Sequence, residues 1–306
     1  MTFAKFVMKT IDALFDGQQN PNKLHKQYGD GVVSQKDIVF DERYKDFKLD
    51  TYCVPRTDGT KYPVIMEIHG GGFSAGDKKY RRVLCEWFAR ETGAFVVNVN
   101  YGLGQQYVFP TPVQHLVAAF NWIIDNADKY NLDIDRIVAT GDSAGAYYSA
   151  YLSVVQNSER LQQLVGTMKG RIGAGVFNCG IYDLRSALQQ KVLFNLTNGV
   201  CLDFAGIPAD KLDEYEYMDR VSTVDYIDER FPKCLIVYAD QDFFCGGQHN
   251  RLHEKLDEVG VYHEMYGSTE YADNHTFSLT WKSAAAQEAN AKIIDFINRY
   301  FAGQLD

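Results

Sequence analysis

The chain lacks an excess of positive charge, a long apolar run and any C-x-x-C pair, and each absence removes a class of function. Its 31 Lys and Arg stand against 40 Asp and Glu, a formal net charge of −9, with a pI near 5.3. An acidic surface of this kind disfavours nucleic acid or an anionic membrane as the main partner. No stretch reaches the roughly 18 apolar residues of a membrane span. The first 17 residues contain Lys5 and Lys9 but neither an unbroken apolar core nor a small-residue cleavage site, so no signal peptide is expected there. Six cysteines (Cys53, Cys85, Cys179, Cys201, Cys234, Cys245) are scattered without metal or redox spacing. They point to reduced, mostly buried thiols in a cytoplasmic protein, with Cys245 a candidate for exposure. Internal repeats and low-complexity segments are absent too. What is there is 306 residues, 46% of them hydrophobic, enough for one large core in a single domain.

Along that chain, short β-branched runs alternate with helical segments. A helix over 3–15 and a polar stretch open it as an arm or lid. Extended segments follow at 37–40, 47–54 and 62–68, then a helix (79–92), a strand (94–100), a helix (113–130), a strand (136–140) and a helix (144–156). Strands at 171–178, 232–238 and 262–266, with helices at 248–259 and 283–300, complete the alternation. Between 182 and 222 the rhythm breaks into a polar, aromatic stretch with helical pieces at 188–194 and 207–219. Alternation of this kind implies the α/β class: a mostly parallel central sheet, right-handed crossovers and helices on both faces. Ligands then bind at the carboxyl ends of the strands, and an insertion at 182–222 would lie above them as a small cap.

The organising stretch is Gly141-Asp142-Ser143-Ala144-Gly145. It sits between the strand Arg136–Thr140 and an alanine- and tyrosine-rich helix, the setting in which a serine is held on a strained turn with its hydroxyl exposed. Gly141 and Gly145 let strand and helix pass closely, and the helix N-terminus favours negative charge at Ser143.

A serine hydroxyl is a weak nucleophile and needs a base, itself oriented by a carboxylate. In this architecture the chain order is serine, acid, histidine. His249 and His253 fall inside the 248–259 helix; their i, i+4 spacing could hold a metal, but no metal site is expected. His263 starts the last strand. His275, in the loop after that strand, is the candidate base. Asp240 and Asp242 both follow the 232–238 strand; Asp242 is favoured because a turn over the sheet needs a couple of residues and the apolar pair Phe243-Phe244 then tucks it down. His69-Gly70-Gly71-Gly72 ends another strand, and its bare backbone can approach an oxyanion, so the amides of Gly71, Gly72 and Ala144 are the candidate oxyanion hole. His69 is expected to shape that loop. Glu67 interrupts an apolar strand and is expected to find a structural ion pair or hydrogen bond. Tyr147 and Tyr148 either line an acyl pocket or pack on the sheet.

With these residues in place the sequence resembles the hormone-sensitive-lipase-like branch of the α/β-hydrolase superfamily, which includes bacterial acetyl esterases and carboxylesterases. The resemblance runs from about Lys48 onward and rests on His69–Phe73, Gly141–Gly145, Phe109-Pro110 ahead of the Trp122 helix, Asp135-Arg136-Ile137, and the surroundings of Asp242 and His275. It implies an α/β-hydrolase fold and hydrolysis of small to medium acyl esters through an acyl-enzyme, with no metal or organic cofactor. It also implies a lid from the N-terminal and middle segments, here 1–35 and 182–222. The expected partner is a small-molecule ester, and a homo-oligomer is compatible with the sequence. The chain departs from the family at Gly102, Gln105-Gln106, His115, Ala146 and Thr276, which places Gln105, Gln106 and Tyr107 near the expected pocket mouth and allows a polar or sugar-bearing substrate. Cleavage of an amide or formamide by the same residues, and ligand binding without turnover, are the alternatives.

Overall fold

A computed structural model describes residues 3–18, 21–189 and 196–305. Helices α1 (Phe3–Gln18) and α2 (Pro21–Tyr28) lead into strands β1 (Val33–Val39), β2 (Lys48–Cys53) and β3 (Tyr62–Ile68). Then come α3 (Arg82–Thr92), β4 (Phe95–Val99), α4 (Thr111–Asp125), α5 (Ala127–Tyr130), β5 (Leu132–Asp142), α6 (Ala144–Val155), α7 (Glu159–Val165) and β6 (Ala174–Asn178). The chain continues through α8 (Leu184–Gln189), α9 (Leu196–Ala205), β7 (Lys233–Ala239), α10 (Gln248–Val259), β8 (His263–Ser268) and α11 (Ala284–Phe301).

The strands form one eight-stranded sheet in the order β1-β2-β4-β3-β5-β6-β7-β8. β1 and β2 pair antiparallel with each other, β2 pairs antiparallel with β4, and every pairing from β4 to β8 is parallel. This is the α/β-hydrolase fold expected from the alternation of strands and helices. Parallel strands covered on both faces read as unbroken apolar runs, and β3 is buried at all seven positions. Its side chains alternate: Val64, Met66 and Ile68 join the core beneath α4 and α6, whereas Ile65 joins the core beneath α3 and α11. The register sets Ile68 beside Gly141, and Asp142 beside Asn178. The carboxyl ends of β3, β5 and β6 therefore open onto one place.

Several boundaries differ from expectation. The helix expected over 113–130 is interrupted at Asn126, whose side-chain amide donates to the Trp122 carbonyl at 2.9 Å beside its own backbone amide at 3.1 Å, a local side-chain bond of the kind that competes with continued helix. The strand expected from Arg171 starts at Ala174. Helix α7 was not expected; its start is marked by Ser158, which accepts from the Leu161 amide as an N-cap. In the insertion, helices form at Leu184–Gln189 and Leu196–Ala205, and only a 3-10 turn, Ala209–Glu214, forms in the third piece; the expected helix over 188–194 lies partly outside the described residues. α9 contains Thr, Asn and Gly, poor helix formers, but it buries Cys201, Phe204 and Ala205, and burial outweighs propensity.

Candidate active site

Ser143 has φ 54° and ψ −119°, a region costly for any residue with a side chain, and strain of this kind collects at functional sites. The surroundings hold it there. A Cβ at Gly145 would stand 1.9 Å from the Ile68 carbonyl oxygen, and one at Gly141 would stand 2.4 Å from the same atom. The Ser143 amide donates to the Asn178 carbonyl at 2.8 Å, which anchors the turn to β6.

His275 and Asp242 meet Ser143 from the neighbouring strand ends. The Ser143 hydroxyl lies 2.8 Å from His275 Nε2, and His275 Nδ1 lies 2.8 Å from Asp242 Oδ2. A carboxylate accepts, so Nδ1 carries the ring proton and Nε2 is free to take one from the serine. Asp242 is buried and its other oxygen accepts from the amides of Phe244 and Cys245 at 2.9 and 2.8 Å. Burial pushes its carboxyl up, but the charge and hydrogen bond of His275 and those two amides outweigh it, and the acid sits below its ordinary value. Asn274 links the two loops: its side-chain oxygen accepts from the His275 amide at 2.8 Å and from the Phe243 amide at 3.4 Å. Buried Asp273 accepts from the Ser268 hydroxyl at 2.7 Å and ties the histidine loop to the end of β8. Asp240, the alternative acid, is exposed.

Gly72 and Ala144 line a cavity of about 60 Å³ together with Ser143 and His275. Gly71 and Gly72 border an adjoining hollow of about 30 Å³. Gly71 and Gly72 have φ 128° and 58°, which a residue with a side chain adopts only under strain. His69 is buried, stacks on Tyr101 at 4.5 Å and places Nδ1 2.8 Å from the Gly70 carbonyl. Burial lowers its pKa to about 4, so it stays neutral and shapes the loop, as expected.

Two contacts at the site carry no plain signal in the sequence. Arg81 makes a two-pronged pair with Asp142 at 2.7 Å on each side, both groups buried, and Asp142 also accepts from the Gly70 amide at 3.3 Å. The glycine loop and the serine turn are thus held by one ion pair. Arg81 reads as a surface charge beside Arg82, and only the Asp142 next to the nucleophile signalled that a buried carboxylate needed a cation. Buried Asp203 on α9 accepts from Ser74, fastening the insertion to the same loop. Met8 of α1 and Leu188, Leu196 and Val200 of the insertion wall the cavity.

Other expectations are corrected. Cys245 is buried and lines the cavity. Phe244 packs against His275 at 5.1 Å, but Phe243 is 59% exposed and does not tuck down. Of the two placements open for Tyr147 and Tyr148, the structure has the packed one: both lie inside the core, and Tyr147 donates to the Val221 carbonyl at 2.9 Å. Gln105, Gln106 and Tyr107 are not among the cavity's lining residues. His115, also neutral with a pKa lowered by burial to about 4, accepts from the Gly102 amide at 3.0 Å.

Glu67 contradicts the expected ion pair. Neither carboxyl oxygen has a hydrogen-bond partner among the described residues. Burial, and then the nearby charge of Asp142, push its pKa well above the usual value, with Arg81 opposing. Between the unfolded value near 4.3 and its raised folded value, the native state holds a proton that the unfolded chain has lost. Stability falls with pH across that window by about 1.4 kcal/mol per pH unit. Glu67→Gln removes the slope. Its Tm is expected to exceed that of the wild type by a margin that widens as pH rises above about 4.3; a margin independent of pH would contradict a raised Glu67 pKa.

Among the described residues, no helix is long and apolar enough to cross a membrane. The BD-FAE family model matches residues 49–256. An acetyl esterase of Salmonella schwarzengrund is 26% identical over 157 residues, 51% of this chain and 45% of that protein. Esterase LipI of Mycobacterium tuberculosis is 32% identical over 96 residues, 31% of this chain and 30% of its own. The chain thus spans half or less of the length of the curated relatives it matches. In structure, esterase B of Lactobacillus rhamnosis superimposes with a TM-score of 0.75 at 17% identity, covering 98% of this chain and 97% of that one. A bacterial heroin esterase gives 0.74 at 22%, covering 95% and 90%. These likenesses place the fold among the α/β-hydrolases, and with the match over residues 49–256 the chain belongs to the BD-FAE family.

Proposed function

We propose that the protein is a serine carboxylesterase that hydrolyses small acyl esters through an acyl-enzyme. The observation that carries this reading is the hydrogen-bonded series from Ser143 to His275 to Asp242, 2.8 Å at each step, on a strained turn at the mouth of an apolar cavity. Ser143 attacks the ester carbonyl while His275 Nε2 takes its proton, and Asp242 stabilises the imidazolium that forms. The amides of Gly71, Gly72 and Ala144 receive the oxyanion, aided by the α6 N-terminus. His275 returns the proton to the leaving alcohol, then activates a water that releases the acid. Relatives named acetyl esterase and esterase support the reaction class.

The chain acts as a single domain with a cap from residues 1–35 and 182–222. Support for the cap comes from Met8, Leu188 and Leu196 on the cavity wall and from the bond between Asp203 and Ser74. All six cysteines are free and five are buried, which suits a reducing compartment such as the cytoplasm.

A cavity of about 60 Å³ suits a short acyl group rather than a long chain. Nitrophenyl esters from acetate to decanoate are therefore expected to show an optimum at the shortest acyl groups. Leu188→Ala opens the wall and should move that optimum to longer acyl chains by two or more carbons. A wild-type optimum at decanoate, or an unmoved optimum in the variant, would contradict the assignment of this cavity to the acyl group.

A further inference from the structure

At the edge of the sheet formed by β8, away from Ser143, a second cluster of ligand-type side chains assembles. His253 and Asp257 lie one turn apart on the same face of α10, and His263 opens β8. His263 Nδ1 stands 2.9 Å from the Val261 carbonyl oxygen. A carbonyl only accepts, so Nδ1 carries the proton and neutral His263 presents a lone pair at Nε2. That lone pair faces His253 Nδ1 at 2.7 Å. The Asp257 carboxylate lies 3.6 Å from His253 Nε2 and 3.7 Å from His263 Nε2, and the three residues each offer a ligand atom within 4.8 Å of the others.

We propose that His253, Asp257 and His263 bind a divalent transition-metal ion, Zn²⁺ above all, which clamps the end of α10 to the start of β8. Two imidazoles and a carboxylate with a fourth position open to solvent suit Zn²⁺, Co²⁺ or Ni²⁺, whereas Mg²⁺ and Ca²⁺ require oxygen ligands. The Val261 carbonyl on the far ring nitrogen is the outer contact that orients a metal-binding histidine. Two nitrogens on a tetrahedral ion, each about 2.0–2.1 Å from it, stand roughly 3.3 Å apart, so the rings must open by about 0.6 Å from 2.7 Å. The side chains of His253 and Asp257 are 40% and 63% exposed and have room to do so. The ion replaces the proton on His253 Nδ1, which passes to solvent. His249, four residues before His253, takes no part; it stacks on Tyr238 at 3.9 Å. The site binds N and not U, so Zn²⁺ stabilises the fold by mass action.

Titration calorimetry and thermal unfolding with ZnCl₂, and with MgCl₂ as the control, test this on the full chain and on His253→Ala and Asp257→Asn, both at positions on the solvent side of α10. The expected result is one Zn²⁺ per chain, an affinity at least about tenfold lower in His253→Ala, and a Zn²⁺-dependent rise in Tm present in the wild type and lost in that variant, with no response to Mg²⁺. Equal Zn²⁺ affinity in wild type and His253→Ala would overturn the proposal and direct attention to Cys179, Asp242 and His275, which also lie within ligand range of one another. Absence of Zn²⁺ binding in the wild type would overturn it outright.

Discussion

Ser143→Ala is expected to lower kcat for nitrophenyl acetate by about 10⁴- to 10⁶-fold with little change in KM, because the substitution removes the proposed nucleophile and leaves the cavity and the proposed amide donors in place. His275→Ala should cost about as much, and the double variant little more than either single one, since nucleophile and base act as a unit. The geometry behind this is the pair of 2.8 Å contacts made by His275 to Ser143 and Asp242. Additive losses in the double variant would mean that the two side chains act independently, which that hydrogen-bonded series does not allow.

The second large effect concerns stability. Arg81→Leu leaves Asp142 buried and unpaired, and breaking a buried pair from one side costs about 3–5 kcal/mol, on the order of 10 °C in Tm. Burial pushes the Asp142 carboxyl up, but the Arg81 charge and hydrogen bonds, with smaller help from the Gly70 amide, bring it below its ordinary value. A depressed carboxylate stabilises the fold above its unfolded pKa of about 3.9, and that stability is lost as pH falls through the lower folded value. The deficit of Arg81→Leu should therefore be full at neutral pH. Adding Asp142→Asn removes the uncompensated charge, keeps an acceptor for the Gly70 amide and should recover part of the loss. Urea unfolding measures both; a single variant within about 1 kcal/mol of the wild type, a loss usual for an ordinary substitution, would show that the pair does not hold the loop and the turn together.

The residues proposed for the site could be picked out because they are constrained locally. Gly141, Gly145 and Ser143 are fixed by a strand and a helix adjacent in sequence, and His275 and Asp242 each directly follow a strand whose apolar run is plain. Gly71 and Gly72 could be read the same way. What escaped depends on contacts distant in sequence. Arg81 and Asp142 are 61 residues apart, and neither position carries a periodic signal. Asp203 meets Ser74 from 129 residues away, inside an insertion whose helix α9 forms by burial against its propensity. Glu67 was visible as a misfit in β3, but its raised pKa in place of a partner follows only from seeing that Asp142 lies near and that Arg81 is already engaged. His253 met His263 and not His249, because β8 returns beside α10 and a helical spacing rule cannot see across that turn.

If Ser143 is the nucleophile of an acyl transfer, a covalent bond to it can be trapped and found. The protein should be incubated with a short-chain nitrophenyl phosphonate, nitrophenol release followed, and the adduct located by peptide mass spectrometry. The expected result is one equivalent of nitrophenol per chain, a single adduct on Ser143, and loss of ester hydrolysis in step with labelling. A modified residue other than Ser143, or hydrolysis that persists after complete labelling, would contradict it.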